Sequence, residues 1–144
     1  GGALIVLGYA RLQLGQAERA VEALTQATRI APEEIDGWVL LGEALRLGGR
    51  LAAAQQTFTH ARGIDSYSPV VPFLLGETLA QAGEPPRALA AYRQAVQLDS
   101  RFAPAWYGLY RMHRQLGDKQ EMQSALDALR NLDPALANRA VEAP

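Results

Sequence analysis

Apolar side chains recur at steps of three and four along most of this chain, and the steps break at short polar or glycine-bearing gaps. Between residues 35 and 64, Trp38, Leu41 and Leu45 form one stripe, and Ala54, Phe58 and Ala61 form a second. That spacing puts each set on one face of an α-helix. The intervening Leu47-Gly48-Gly49-Arg50 carries glycine where a helix can close in a left-handed turn. The same reading predicts helices over 3–14, 17–30, 35–47, 51–64, 70–82, 85–98, 104–116 and 119–131, paired as four hairpins. Residues 135–141 are a weaker candidate for a short final helix.

The hairpins are copies of one unit. Gly15, Gly49, Gly83 and Gly117 recur every 34 residues, in register with Leu7, Leu41, Leu75 and Leu109 and with Ala27, Ala61 and Ala95. A fixed period of this length means one supersecondary unit stacked several times, held by nearest-neighbour interfaces instead of a single closed core. The units divide as 1–34, 35–68, 69–102 and 103–136, leaving 137–144 as a tail or a short capping helix. Gly8, Gly42 and Gly76 on the first helices are expected to face Ala20, Ala54 and Ala88 on the second, where bulk would push the pair apart. Pro85 and Pro104 fall near helix starts, where a missing N–H is harmless. Pro72 is expected to delete a backbone bond if its helix begins at Pro69, giving a late or bent start.

The two ends of the array differ. In the fourth unit Tyr110 stands in place of the glycine, and Met122 and Leu129 in place of alanines. Its second helix is polar along Lys119, Gln120, Glu121, Gln123, Ser124, Asp127 and Arg130, the wet outer face that a terminal unit needs. The first helix, with Leu4, Ile5, Val6, Leu7, Tyr9, Leu12 and Leu14, is apolar nearly all round, as a helix covered on several sides would be. The chain opens on Gly1-Gly2 inside a unit and without an initiator methionine. The sequence therefore predicts at least one further unit before residue 1, and self-association through the N-terminal helix where that unit is missing.

Composition narrows the function by exclusion. Fifteen acids against fourteen bases leave a net charge of −1, with no electrostatic excess to hold nucleic acid or an anionic membrane. No run approaches the roughly 18 apolar residues that a membrane span requires. The chain has no cysteine, which excludes disulfides, thiol catalysis and thiolate metal sites and leaves the compartment open. Thirteen arginines to one lysine point to a GC-rich bacterial gene.

Candidate chemistry is sparse. His60 and His113, the two histidines, lie in different units, so a metal site built on them is not expected. His60 reads as solvated and His113 as an inter-helix packing residue. No glycine loop followed by a lysine cradles phosphate. Glu43 and Glu77 hold the same place in adjacent units, and binding a basic ligand is a better use for them than acid–base catalysis. Trp38 and Trp106 read as core. No cofactor is called for.

The residues Trp38, Leu41-Gly42, Leu45, Gly49, Ala54, Phe58 and Ala61, with Leu4, Leu7-Gly8, Gly15, Ala20, Leu24, Ala27 and Pro32, resemble the tetratricopeptide repeat. The third and fourth units follow through Leu75-Gly76, Gly83, Ala88, Tyr92 and Ala95, and through Trp106, Leu109, Gly117, Leu126 and Pro134. The resemblance implies an all-α fold, a right-handed α-solenoid of helical hairpins, whose first helices line a concave face that binds proteins or peptides. Carried over place by place, that face would hold Ile5, Val39, Phe73 and Tyr107, then Tyr9, Glu43, Glu77 and Arg111, with Arg46, Gln81 and Arg114 beside them. The chaperone-type carboxylate clamp is absent, because its places hold Ile5, Tyr9, Leu40, Val70 and Leu74. The asparagine ladder of O-linked N-acetylglucosamine transferase is absent too, since no asparagine precedes Asn131. The expected role is a non-catalytic scaffold for a segment with apolar anchors and basic neighbours. A self-assembling structural module and a substrate-presenting part of a larger enzyme stand as the alternatives.

Overall fold

The computed structural model describes residues 2–144, and among these all regular structure is helical. The helices are α1 (Gly2–Gln13), α2 (Ala17–Ile30), α3 (Ile35–Leu47), α4 (Leu51–Ile64), α5 (Val70–Gln81), α6 (Pro85–Leu98), α7 (Ala103–Leu116), α8 (Lys119–Leu132) and α9 (Pro134–Glu142). They fall into two compact units, Gly1–Ser66 with α1–α4 and Tyr67–Pro144 with α5–α9. Among the described residues no helix is long and apolar enough to cross a membrane.

Each hairpin turn is built the same way. Gly15, Gly49, Gly83 and Gly117 have φ of 72°, 80°, 77° and 77°, the left-handed region that penalises any side chain. The residue after each glycine sends its N–H back to the preceding helix: Gln16 to Arg11, Arg50 to Leu45, Glu84 to Leu79 and Asp118 to His113, at 2.8–3.0 Å. These bonds, with the shorter-range ones donated by the glycines, satisfy carbonyls that the helix end would otherwise strand. The 34-residue glycine period is therefore a period of backbone conformation.

Pro72 does not cost a helix bond. Pro69 is the residue before α5, and the first helical bond runs from the Phe73 N–H to the Pro69 carbonyl at 3.2 Å. Pro72 thus lies in the first turn, where no N–H has a partner within the helix, and its ring is buried.

In the first unit α2 packs on both α1 and α3, and α4 on α3. In the second, α6 packs on α5 and α7, α8 on α7, and α9 on α7 and α8. The small residues do permit close approach, but their partners differ from the expected ones. A Cβ at Gly8 would lie 2.4 Å from Leu24 Cγ, one at Gly42 2.5 Å from Phe58 Cε1, and one at Gly76 2.7 Å from Tyr92 Cδ1. The large residue one turn beyond each alanine fills the gap left by the glycine, while Ala20, Ala54 and Ala88 are themselves fully buried.

α1 is the least covered of the first helices. Gly8 is its one buried residue, and Val6, Leu7 and Tyr9 are 69%, 41% and 52% exposed. At the other end, the polar residues expected to face water on α8 are exposed, and Leu126 and Leu129 are buried.

Candidate functional site

The first-helix residues singled out in the sequence fall into two groups, one in each unit. In the first, Ile5 and Val39 are half-buried and Tyr9 is about half exposed. Together with Val6, Asp36 and Leu40 they line a concavity of about 360 Å³ between α1 and α3. A second, of about 250 Å³, adjoins it and is lined by Tyr9, Leu12, Gln13, Leu40, Glu43 and Leu47. Tyr9 and Leu40 belong to both, so the α1–α3 face is a continuous apolar trough with acids at its margin. Glu43 is already engaged. Arg46, one turn on, donates to both of its oxygens, Nε at 2.7 Å and Nη2 at 3.0 Å.

In the second unit the corresponding face is polar and internally tied. Tyr92 is wholly buried, yet its hydroxyl reaches the first-helix side because both helices flanking its ring carry glycine there. A Cβ at Gly76 would approach the ring to 2.7 Å and one at Gly108 to 2.5 Å. The Tyr92 hydroxyl donates to Glu77 Oε1 at 2.5 Å. Arg111 Nη2 donates to the same oxygen at 2.8 Å and to the Tyr92 hydroxyl oxygen at 3.3 Å. The Arg111 guanidinium also sits 5.0 Å from the centroid of the Tyr107 ring, an attractive cation–π placement. Burial pushes the Tyr92 phenol far above its ordinary range, and the adjacent Glu77 charge adds to this, with Arg111 opposing.

These contacts revise the electrostatic expectation that Glu43 and Glu77 select basic neighbours in a ligand. Each is instead paired with an arginine of this chain, Glu43 with Arg46 and Glu77 with Arg111, so neither presents a bare charge. Phe73 packs edge-on against Phe102 at 5.4 Å and lies 6.1 Å from Tyr92, anchoring its own unit. Arg114 lies 5.4 Å from the Tyr110 ring and donates to the carbonyls of Ala143 (2.9 Å) and Pro144 (3.0 Å), tying down the chain after α9. Gln81 is exposed at the end of α5.

Two residues of this network stand outside the site expected from the sequence. Tyr92 reads there as a packing residue alone, and Gly108 has no assigned role. A signal for Gly108 is nevertheless present: its place in the other units holds Val6, Leu40 and Leu74, so a glycine there is a departure that needs a reason.

The tryptophans are half-buried rather than core. Trp38 Nε1 donates to the Pro32 carbonyl and Trp106 Nε1 to the Ser100 carbonyl, both at 2.9 Å, fastening the loop before each helix. The exposed His60 ring packs at a tilt against Trp38, its centroid 4.2 Å away, and His113 is buried on α7.

Comparisons with known proteins agree with this fold. The tetratricopeptide-repeat family profile matches residues 5–69 and 73–121. A probable UDP-N-acetylglucosamine–peptide N-acetylglucosaminyltransferase, SPINDLY of Hordeum vulgare, is 30% identical over 98 residues. That match covers 63% of this chain but only 10% of the relative, so the chain spans about a tenth of that protein's length. Among solved structures, TTC0263, a thermophilic TPR protein of Thermus thermophilus, superposes with a TM-score of 0.83 at 21% identity, covering 97% of this chain and 79% of its own. YrrB, described as a TPR protein with an unusual peptide-binding site, superposes at 0.74 with 18% identity, covering 96% and 75%. The repeat register, the four left-handed glycine turns and the profile match together place this chain in the tetratricopeptide-repeat family, whose all-helical hairpin arrays serve as protein-interaction scaffolds.

Proposed function

We propose that the chain is a non-catalytic scaffold that takes a segment of another protein on its first helices, with apolar anchors seated on the α1–α3 face. The observation that carries this reading is the trough formed by the two adjoining concavities around Tyr9 and Leu40. Its walls are apolar, it is open, and each part is large enough for one aliphatic or aromatic side chain. Such a surface suits an extended or helical segment that spaces its anchors along the trough. Charge has a smaller part, because Glu43 is held by Arg46. The exposed Asp36 at the margin leaves a place for one basic residue beside an anchor.

Panning a peptide library against the purified chain tests this. The expected product is a motif of spaced apolar residues. Its affinity falls by about 10–100-fold in the Tyr9→Ala, Val39→Ala double variant, the usual cost of removing central anchors. Glu43→Lys has a smaller effect. Enrichment that is indifferent to Tyr9 and Val39 overturns the assignment.

A further inference from the structure

Glu77 on α5 and Arg111 on α7 stand 34 residues apart, at equal places of successive hairpins. Each has a half-buried aromatic residue one turn before it, Phe73 and Tyr107. Their pairing is end-on. It joins one nitrogen to one oxygen, Arg111 Nη2 to Glu77 Oε1, whereas Arg46 grips both oxygens of Glu43. Two other contacts fix this geometry. The Tyr92 hydroxyl donates to the same Glu77 oxygen, and the Arg111 guanidinium lies over the Tyr107 ring. Glu77 Oε2 and Arg111 Nη1 are left without a hydrogen-bond partner among the described residues, and neither atom is buried. The two side chains are 25% and 30% exposed. The pair thus offers one acceptor and one donor to solvent while its charges cancel.

We infer that this edge binds the main chain of an extended segment of a partner protein, Glu77 Oε2 accepting an N–H and Arg111 Nη1 donating to a carbonyl. Charge decides the class of ligand. A bare carboxylate selects a cation and a bare guanidinium an anion, but a neutral pair favours neither. The group that matches a donor beside an acceptor is one that carries both, an amide. In an extended chain the N–H and C=O of one residue point to the same side, as they do in a hydrogen-bonded pair of antiparallel strands. A single residue therefore supplies both partners. The assignment rests on the chain's role as a protein-interaction scaffold and is independent of the α1–α3 trough.

Acetyl-trialanine N-methylamide, which has neither charge nor a large side chain, is the probe. Titrated into the whole chain, it shifts the Tyr107 ring and Arg111 guanidinium resonances saturably. Its analogue with the inner amides replaced by esters lacks their N–H groups. That analogue binds about 10-fold more weakly, the cost of losing a hydrogen bond to a charged group. Acetate and guanidinium ion leave the same resonances in place. Glu77→Gln supplies a second arm. Its Oε1 still has to accept from Tyr92 and Arg111, so an amide nitrogen takes the place of Oε2 and the edge loses its acceptor. Peptide affinity then falls about 10-fold, and the ester no longer differs from the amide. The ester comparison on the wild-type chain needs no variant, so it decides even where Glu77→Gln disturbs the fold. The absence of a saturable shift, or equal affinity for amide and ester, overturns the proposal. Binding of acetate or guanidinium ion as tight as that of the peptide overturns it in favour of an ionic site. Equally tight binding of propionamide overturns it in favour of a side-chain amide.

Discussion

Glycine to alanine in the middle of a helix ordinarily stabilises by about 0.5–1 kcal/mol, because alanine loses less backbone freedom on folding. At Gly108 the structure reverses that sign. A methyl there lies 2.5 Å from both Cε1 and Cζ of Tyr92, well inside contact distance. The ring cannot swing away. It is fully buried, Gly76 already crowds its Cδ1–Cε1 edge, and its hydroxyl is bonded to Glu77 and near Arg111. Accommodation requires α6 and α7 to separate, or the phenol to leave its carboxylate. Overpacking in a filled interior costs about 1–3 kcal/mol, so Gly108→Ala should destabilise by about that amount. Urea denaturation followed by circular dichroism measures it. Gly63→Ala is the control: Gly63 lies in α4, a methyl on it would have nothing within 4 Å, and it should show the ordinary gain. A double-mutant cycle with Tyr92→Leu then isolates the contact. Once the ring is gone, Gly108→Ala should lose most of its penalty, a coupling of about 1–3 kcal/mol. A neutral or stabilising Gly108→Ala in the wild-type background refutes the close fit of Tyr92 between two glycines.

Two further expectations follow from the same features. Gly49→Ala should destabilise by about 1–2 kcal/mol despite open space around it, because its φ of 80° is costly for any side chain; the urea midpoint reports this. The folded-state pKa of Tyr92 is raised by burial and by Glu77, so the stability it contributes is fully present below the ordinary phenol pKa of about 10 and is lost as pH rises above it. Tyr92→Phe should therefore be less stable than wild type at neutral pH yet lose less stability on going to alkaline pH, as thermal unfolding across a pH series will register.

The sequence by itself determined the helices, their turns and their repetition. These are local properties: a stripe needs only spacing, and a left-handed turn needs only a glycine at the right place, which is why all four glycine turns and the eight hairpin helices were legible. The short α9 was barely so, since Pro134–Glu142 has one good start signal and an indistinct stripe. What the tertiary structure decided depends on how far side chains reach across an interface. Gly76 meets Tyr92 and not Ala88, because a large ring fills the space that a glycine leaves while an alanine is too short to cross it. Glu77 pairs with Arg111, 34 residues away, because stacking brings equal places of successive units together; reading each unit alone leaves both charges bare.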